Sequence, residues 1–145
     1  MKIEFARYTE AISLSATLTE KVGSICEFWS AISPEEAKWM FISDYLTKEG
    51  ERVFESVFLA SEDFIMEAKQ FVSSEDFDFV FVRWVYGAEL KKQEYDLKQA
   101  TEKSRLNIHI YCPEGANFDM KASKENCAYL WAFFREYVRP RFHPK

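Results

Sequence analysis

The sequence predicts an α+β fold, an antiparallel β-sheet with helices packed on it. Three observations predict it. Apolar and polar residues alternate with period two around residues 12–19, and strand-like runs recur at 77–86 and 106–112. Between and after these runs, apolar residues fall at helical spacing. Only four Gly and four Pro occur in 145 residues, with no repeat, linker or low-complexity tract, so the chain reads as a single domain over 1–145.

The N-terminal part reads as β. Ile3 and Phe5 alternate with Lys2 and Glu4. Ile12, Leu14, Ala16 and Leu18 then alternate with Ser13, Ser15, Thr17 and Thr19, the pattern of a strand with one wet face. Residues 24–29 are read as a third strand.

Ser33-Pro34-Glu35-Glu36 has the chemistry of a helix start. Ser33 is the cap, Pro34 suits the first position and Glu36 completes a capping box. Ala37, Met40, Phe41 and Tyr45 follow on one helical face, and Gly50 marks the stop. Val53, Phe54, Val57 and Phe58 keep helical spacing. Ser61 opens a further helix carrying Phe64, Ile65, Ala68, Phe71 and Val72.

Residues 77–86 are the most strand-like run. Phe77, Phe79, Phe81 and Val85 lie on one face, and Val80, Val82, Trp84 and Tyr86 on the other. Apolar residues on both faces predict a central, doubly covered strand. It is expected to form the core together with the helix around Trp131. Residues 88–104 lean towards a meander containing Tyr95 and Leu97. Leu106, Ile108, Ile110 and Cys112 form the next strand, ended by Pro113-Glu114-Gly115. Ser123 caps a last helix with the stripe Cys127, Leu130, Trp131, Phe134 and Val138, and Pro140 stops it.

Charge is unevenly distributed. Residues 49–78 hold nine carboxylates and two bases, a formal charge of −7, whereas the whole chain carries −5. The remainder is therefore slightly basic. A field concentrated in one segment steers an oppositely charged partner. On the helical reading, the carboxylates line the outside of that segment. The aromatic share of 17%, with 14 Phe, exceeds what core filling requires in a domain of this size. Most of it reads as a Phe-rich core and the rest as interface anchors.

The acidic balance excludes nucleic acid as the expected ligand. The only basic cluster is the tail from Arg139 to Lys145, which reads as a solvated end. The N-terminus lacks the apolar core of a secretory signal, and no stretch approaches the length of a membrane span, so a cytoplasmic protein is expected. Cys26, Cys112 and Cys127 are odd in number and far apart, as expected of reduced thiols.

Catalytic motifs are scarce. Gly23, Gly50, Gly87 and Gly115 are isolated and form no phosphate loop. His109 and Cys112 stand an odd number of positions apart on one strand, which opposes a nucleophile–base pair. Cys127 with His109 is the other thiol–imidazole pair that the fold could bring together. Asp76 and Asp78 lack the glycine and the bidentate Glu of a calcium loop, and no short-spaced Cys/His cluster fits zinc. No cofactor and no metal are expected.

The expected function is therefore binding. The sequence reads as a small acidic protein, monomeric or weakly dimeric, that covers a basic protein partner such as a toxin domain. Bacterial immunity proteins against nuclease-type toxins have this character. Glu62, Asp63, Glu67, Glu75, Asp76 and Asp78 are the expected partner-binding residues. The alternatives are a small enzyme using dispersed carboxylates and His109, or a homo-oligomeric adaptor.

Overall fold

Helices open the chain where the alternation of residues 12–19 predicts a strand. The computed structural model of the chain describes residues 1–73, 78–83, 94–98, 106–111 and 117–142. Helix α1 (Ile3–Ala11) buries Phe5, Tyr8 and Thr9, and Ile12 just beyond extends the same stripe at i, i+3, i+4 and i+7. Helix α2 (Ala16–Ile32) buries Val22, Ile25 and Trp29. Ser15 is its cap, the hydroxyl accepting from the Leu18 N–H at 3.2 Å. The serines and threonines that imitate a wet strand face are thus a turn residue (Ser13), a helix cap (Ser15) and the exposed or half-exposed first turn of α2 (Thr17 and Thr19).

The middle of the chain reverses the expectation again. Ser33 ends α2 instead of starting a helix, and its hydroxyl turns the chain by accepting from the Glu35 N–H at 3.1 Å. Strands β1 (Trp39–Leu46), β2 (Arg52–Ala60), β3 (Phe64–Lys69) and β4 (Asp78–Arg83) then form an antiparallel sheet in that order. Gly50, at φ +83°, supplies the left-handed residue of the β1–β2 turn. The helical spacing read in residues 53–72 is a by-product of burial on both sheet faces. Every residue from Val57 to Ala60 is buried, so the apolar run is unbroken and fits any period.

The pairing register divides the sheet into two faces. Phe41, Phe58 and Glu67 are cross-strand partners on one, and Met40, Leu59 and Met66 on the other. Helix α2 covers the second face, where Phe28 stacks on Phe79 with ring centroids 3.9 Å apart. A second antiparallel sheet, β5 (Glu94–Lys98), β6 (Leu106–Tyr111) and β7 (Asn117–Ala122), lies against the first face. Phe118 meets Phe58 there, edge to face at 6.1 Å. Strand β7 has no counterpart in the sequence reading, although Phe118, Met120 and Ala122 alternate strictly with exposed or half-exposed Asn117, Asp119 and Lys121.

Beyond a 3₁₀ turn (Lys124–Asn126), helix α3 (Cys127–Phe133) passes through a wide π turn (Phe134–Val138) into α4 (Arg139–Phe142). Pro140 therefore lies inside the helix and does not stop it. The widened turn immediately before it is the usual way a helix accommodates a proline ring and its missing N–H. Leu130, Phe134 and Val138 are buried, as the stripe predicts, and so is Tyr137, which the stripe omits, whereas Cys127 and Trp131 are half-buried.

Two further corrections follow. β4 pairs with β3 alone among the described residues, so it ends its sheet and is not central. The core centres on β1, β2 and β3, on Phe41, Ile42, Val57, Phe58, Ile65 and Met66, and the C-terminal helix joins it as expected, through Leu130, Phe133 and Val138. The strand and meander expected at 77–112 agree with β4, β5 and β6. The turn at Pro113-Glu114-Gly115 falls outside the described residues. No helix among the described residues is long and apolar enough to cross a membrane.

Candidate functional site

Two acids interrupt otherwise apolar strands, and each marks a distinct polar site. Asp44 on β1 is fully buried. It accepts from the Ser123 N–H at 2.8 Å, the Ser123 hydroxyl at 2.6 Å and Asn126 Nδ2 at 3.0 Å, and it pairs with Arg52 Nε. Arg52 also reaches the Ile12 carbonyl at 2.5 Å. Asn126 continues the network to the Ile42 carbonyl, and the Tyr8 hydroxyl donates to Asn126 Oδ1 at 2.9 Å. Burial pushes the Tyr8 phenol far above its ordinary pKa, so it remains a neutral donor. This network ties α1, β1, β2 and the turn before α3 together, and every oxygen of Asp44 is used.

Glu67 on β3, the cross-strand partner of Phe58, is 6% exposed and lines a cleft of about 610 Å³. Residue-level events on both sides create this cleft. A β-bulge at Ser43/Asp44 leaves Glu55 without a cross-strand partner, which lets consecutive residues Glu55 and Ser56 both border it. Asp119 closes the opposite side, because the alternation of β7 turns Phe118 and Met120 inward. Val53, Phe54 and Val72 give apolar wall, and Lys69 is at the edge.

Electrostatics separate the carboxylates within the cleft. Lys121 Nζ lies 3.4 Å from Glu55 and 3.5 Å from Asp119. Burial opposes its charge, but Glu55 and Asp119 outweigh burial and hold the ammonium above the ordinary lysine pKa. Asp119 also faces His109 Nε2 at 3.4 Å across the β6–β7 ladder. The Ser56 hydroxyl is the polar group that most favours the Glu67 charge, and no cation lies within ion-pair distance of Glu67 among the described residues. Burial raises its pKa, more than Ser56 and Lys69 lower it, and Glu55 and Asp119 add to the rise.

The expected partner-binding residues do not form one helical surface. Glu62 and Asp63 sit in the β2–β3 turn, at one end of β3. Glu62 is held by Lys38 at 3.3 Å and by Arg141 at 3.1 Å, and the Asp63 N–H reaches Glu35 at 3.4 Å. Asp78 lies at the other end of β3, opposite Lys69 and exposed. Glu67 faces the cleft and is buried, so it does not line an exterior helix face. Glu75 and Asp76 fall outside the described residues. The basic tail also differs from its reading as a solvated end. Arg141 is 5% exposed and stacks over Tyr137 at 3.9 Å and Trp39 at 5.1 Å.

The remaining chemistry is modest. Cys112 falls outside the described residues, and Cys127 packs against the core at the start of α3. Another hollow, about 390 Å³, lies beside Lys2, Cys26 and Trp29. Burial pushes the Cys26 thiol up to about 11, which makes it a poor nucleophile. Among the described residues, no group of three or more His, Cys, Asp or Glu is placed to hold a metal ion. Of the aromatic side chains whose burial is described, Tyr129 alone is exposed, so the Phe rings among them are core or partly covered.

Comparisons with protein-family models, with curated proteins and with solved structures find no match to this chain. Its own residues therefore carry the functional reading, and the cleft gathers the groups that sequence reasoning missed. Asp119 and Lys121 were hidden in the unread strand β7, where strict alternation was the available signal. Glu55 was counted among the carboxylates of the charged segment, but its position depends on a bulge that no local pattern announces.

Proposed function

We propose that this chain is a small acidic binding protein that covers and inhibits a basic protein partner, as a cytoplasmic bacterial immunity protein does with a nuclease-type toxin. The carrying observation is the cleft floor. Glu67 is buried there beside the Ser56 hydroxyl and with no counter-ion among the described residues, and Glu55 and Asp119 flank it. A buried carboxylate left unneutralised is costly to the fold, and such costs concentrate where a partner completes the site. The −7 charge of residues 49–78 would steer a basic partner towards the same part of the molecule. The reading requires a gene for a basic toxin-like domain beside this one, and co-expression with that domain tests it. A one-to-one complex and protected cells are expected; growth arrest without a complex would overturn it.

One observation favours a second reading as a small enzyme. Glu67, with its raised pKa, lies near Asp119, which in turn faces His109. A recessed carboxyl whose pKa is raised by burial is the raw material of general acid–base catalysis. A bell-shaped pH–rate profile on any substrate, lost in Glu67→Gln, would favour this reading over inhibition.

A further inference from the structure

We propose that the cleft receives one arginine side chain of the partner, with the Glu67 carboxylate as its counter-charge; this inference rests on the inhibitory reading and names what that reading's partner presents. Charge complementarity identifies the occupant. Lys121 already serves Glu55 and Asp119, whereas Glu67 is ninety-four parts in a hundred buried and, among the described residues, has only the Ser56 hydroxyl beside it. The missing element is a cation long enough to reach a recessed acid.

The lining matches the two halves of an arginine. Val53, Phe54 and Val72 offer apolar surface to the methylene stem. Glu67 and Asp119 offer acceptors to the planar head. Asp119 Oδ1 is buried without a hydrogen bond, its contact there being the His109 ring at 3.4 Å. A guanidinium has five donors in a fixed fork and can serve both acids and Ser56 at once. An ammonium is a compact, strongly hydrated charge with three donors and matches this spread less well. The protein already uses its own arginines in this way, with Arg52 over Phe54 at 4.5 Å and paired to Asp44.

The test uses the whole chain and a minimal probe, Nα-acetyl-arginine methylamide, followed by amide chemical shifts. A ligand of this size in a fitted site binds in roughly the millimolar range. Saturable shifts are expected at Ser56, Glu67, Gln70 and Asp119. The neutral citrulline analogue, and the arginine probe on Glu67→Gln, should each bind at least about tenfold more weakly, the loss of one charge-assisted hydrogen bond. A melting temperature at or above wild type establishes that the variant is folded. Equal affinity for arginine and citrulline, an unaffected Glu67→Gln, shifts elsewhere, or no saturation at tens of millimolar would each overturn the proposal. The two readings fail separately. Arginine binding without protection from the neighbouring toxin domain leaves the cleft site standing and removes the inhibitory role. Protection without arginine binding does the reverse.

Discussion

Asp44 and Glu67 are both buried carboxylates in apolar strands, yet their surroundings differ in kind. Asp44 receives two donors from Ser123, one from Asn126 and one from Arg52. Glu67, nearly as deeply buried, has Ser56 and a cleft. Burial alone does not distinguish a structural acid from a functional one; counting the donors does. The Asp44 region spends a charge to fix how two helices, two strands and a turn meet. The Glu67 region leaves a charge incompletely matched, a local conflict of the kind that marks sites completed by something else.

The largest effect should come from breaking the satisfied node. Asp44→Ala removes the acceptor of four donors and leaves Arg52 half-buried without its partner. A loss of about 3–5 kcal/mol is expected, read as a lower urea midpoint with an unchanged slope. A loss below about 1 kcal/mol would erase the contrast with Glu67, because a surface pair gives that much.

A smaller effect tests how far the node extends. Tyr8→Phe removes one hydroxyl, which donates to Asn126 and accepts from the Ile42 N–H at 3.0 Å. About 1–2 kcal/mol should be lost, the cost of leaving buried polar groups unpaired. A double-mutant cycle with Asn126→Ala should show coupling, since the two side chains touch. Strict additivity would mean that α1 docks by packing alone. On the other side, Lys121→Met should cost about 0.2–1 kcal/mol because the pair is partly exposed. It should also tighten arginine-probe binding, because it frees Glu55 and Asp119 from their resident cation.

These sites were unequally legible in the sequence. The α+β class, β4, β6 and the C-terminal helix were readable because each has a period that competes with nothing else. The middle was not. Val53, Phe54, Val57 and Phe58 fit a helix as well as a strand once both faces of a sheet are buried. Their β-branched and aromatic character was the better guide. The N-terminus failed for the opposite reason. Small hydroxyl residues placed every second position imitate a wet strand face, while the true stripe, Phe5, Tyr8 and Ile12, is wider spaced. Glu67 was chosen as an exposed acid on a helix; its being the lone charge within Phe64-Ile65-Met66-Glu67-Ala68 was the sign of a buried one. Asp44 could be read as isolated in the same way, but not as satisfied, since three of its four donors lie 79 and 82 residues away.

The smallest expected change in stability is a gain, and it decides the comparison. Burial raises the Glu67 pKa in the folded state, so folding favours its protonated form. By linkage, that contribution is fully present below the ordinary glutamate range and is lost as pH rises through the raised folded value. Glu67→Gln keeps the size and a partner for Ser56 but never ionises. It should therefore match wild type in acid and melt higher at neutral pH, with the difference opening between those limits. Thermal melts across that range, at fixed ionic strength, measure it directly. If Glu67→Gln instead melts lower at neutral pH, Glu67 is satisfied within the fold, and the cleft loses its reason to take a cation. If it melts higher and also loses the arginine probe, one side chain trades stability for binding, as expected of a site that a partner completes.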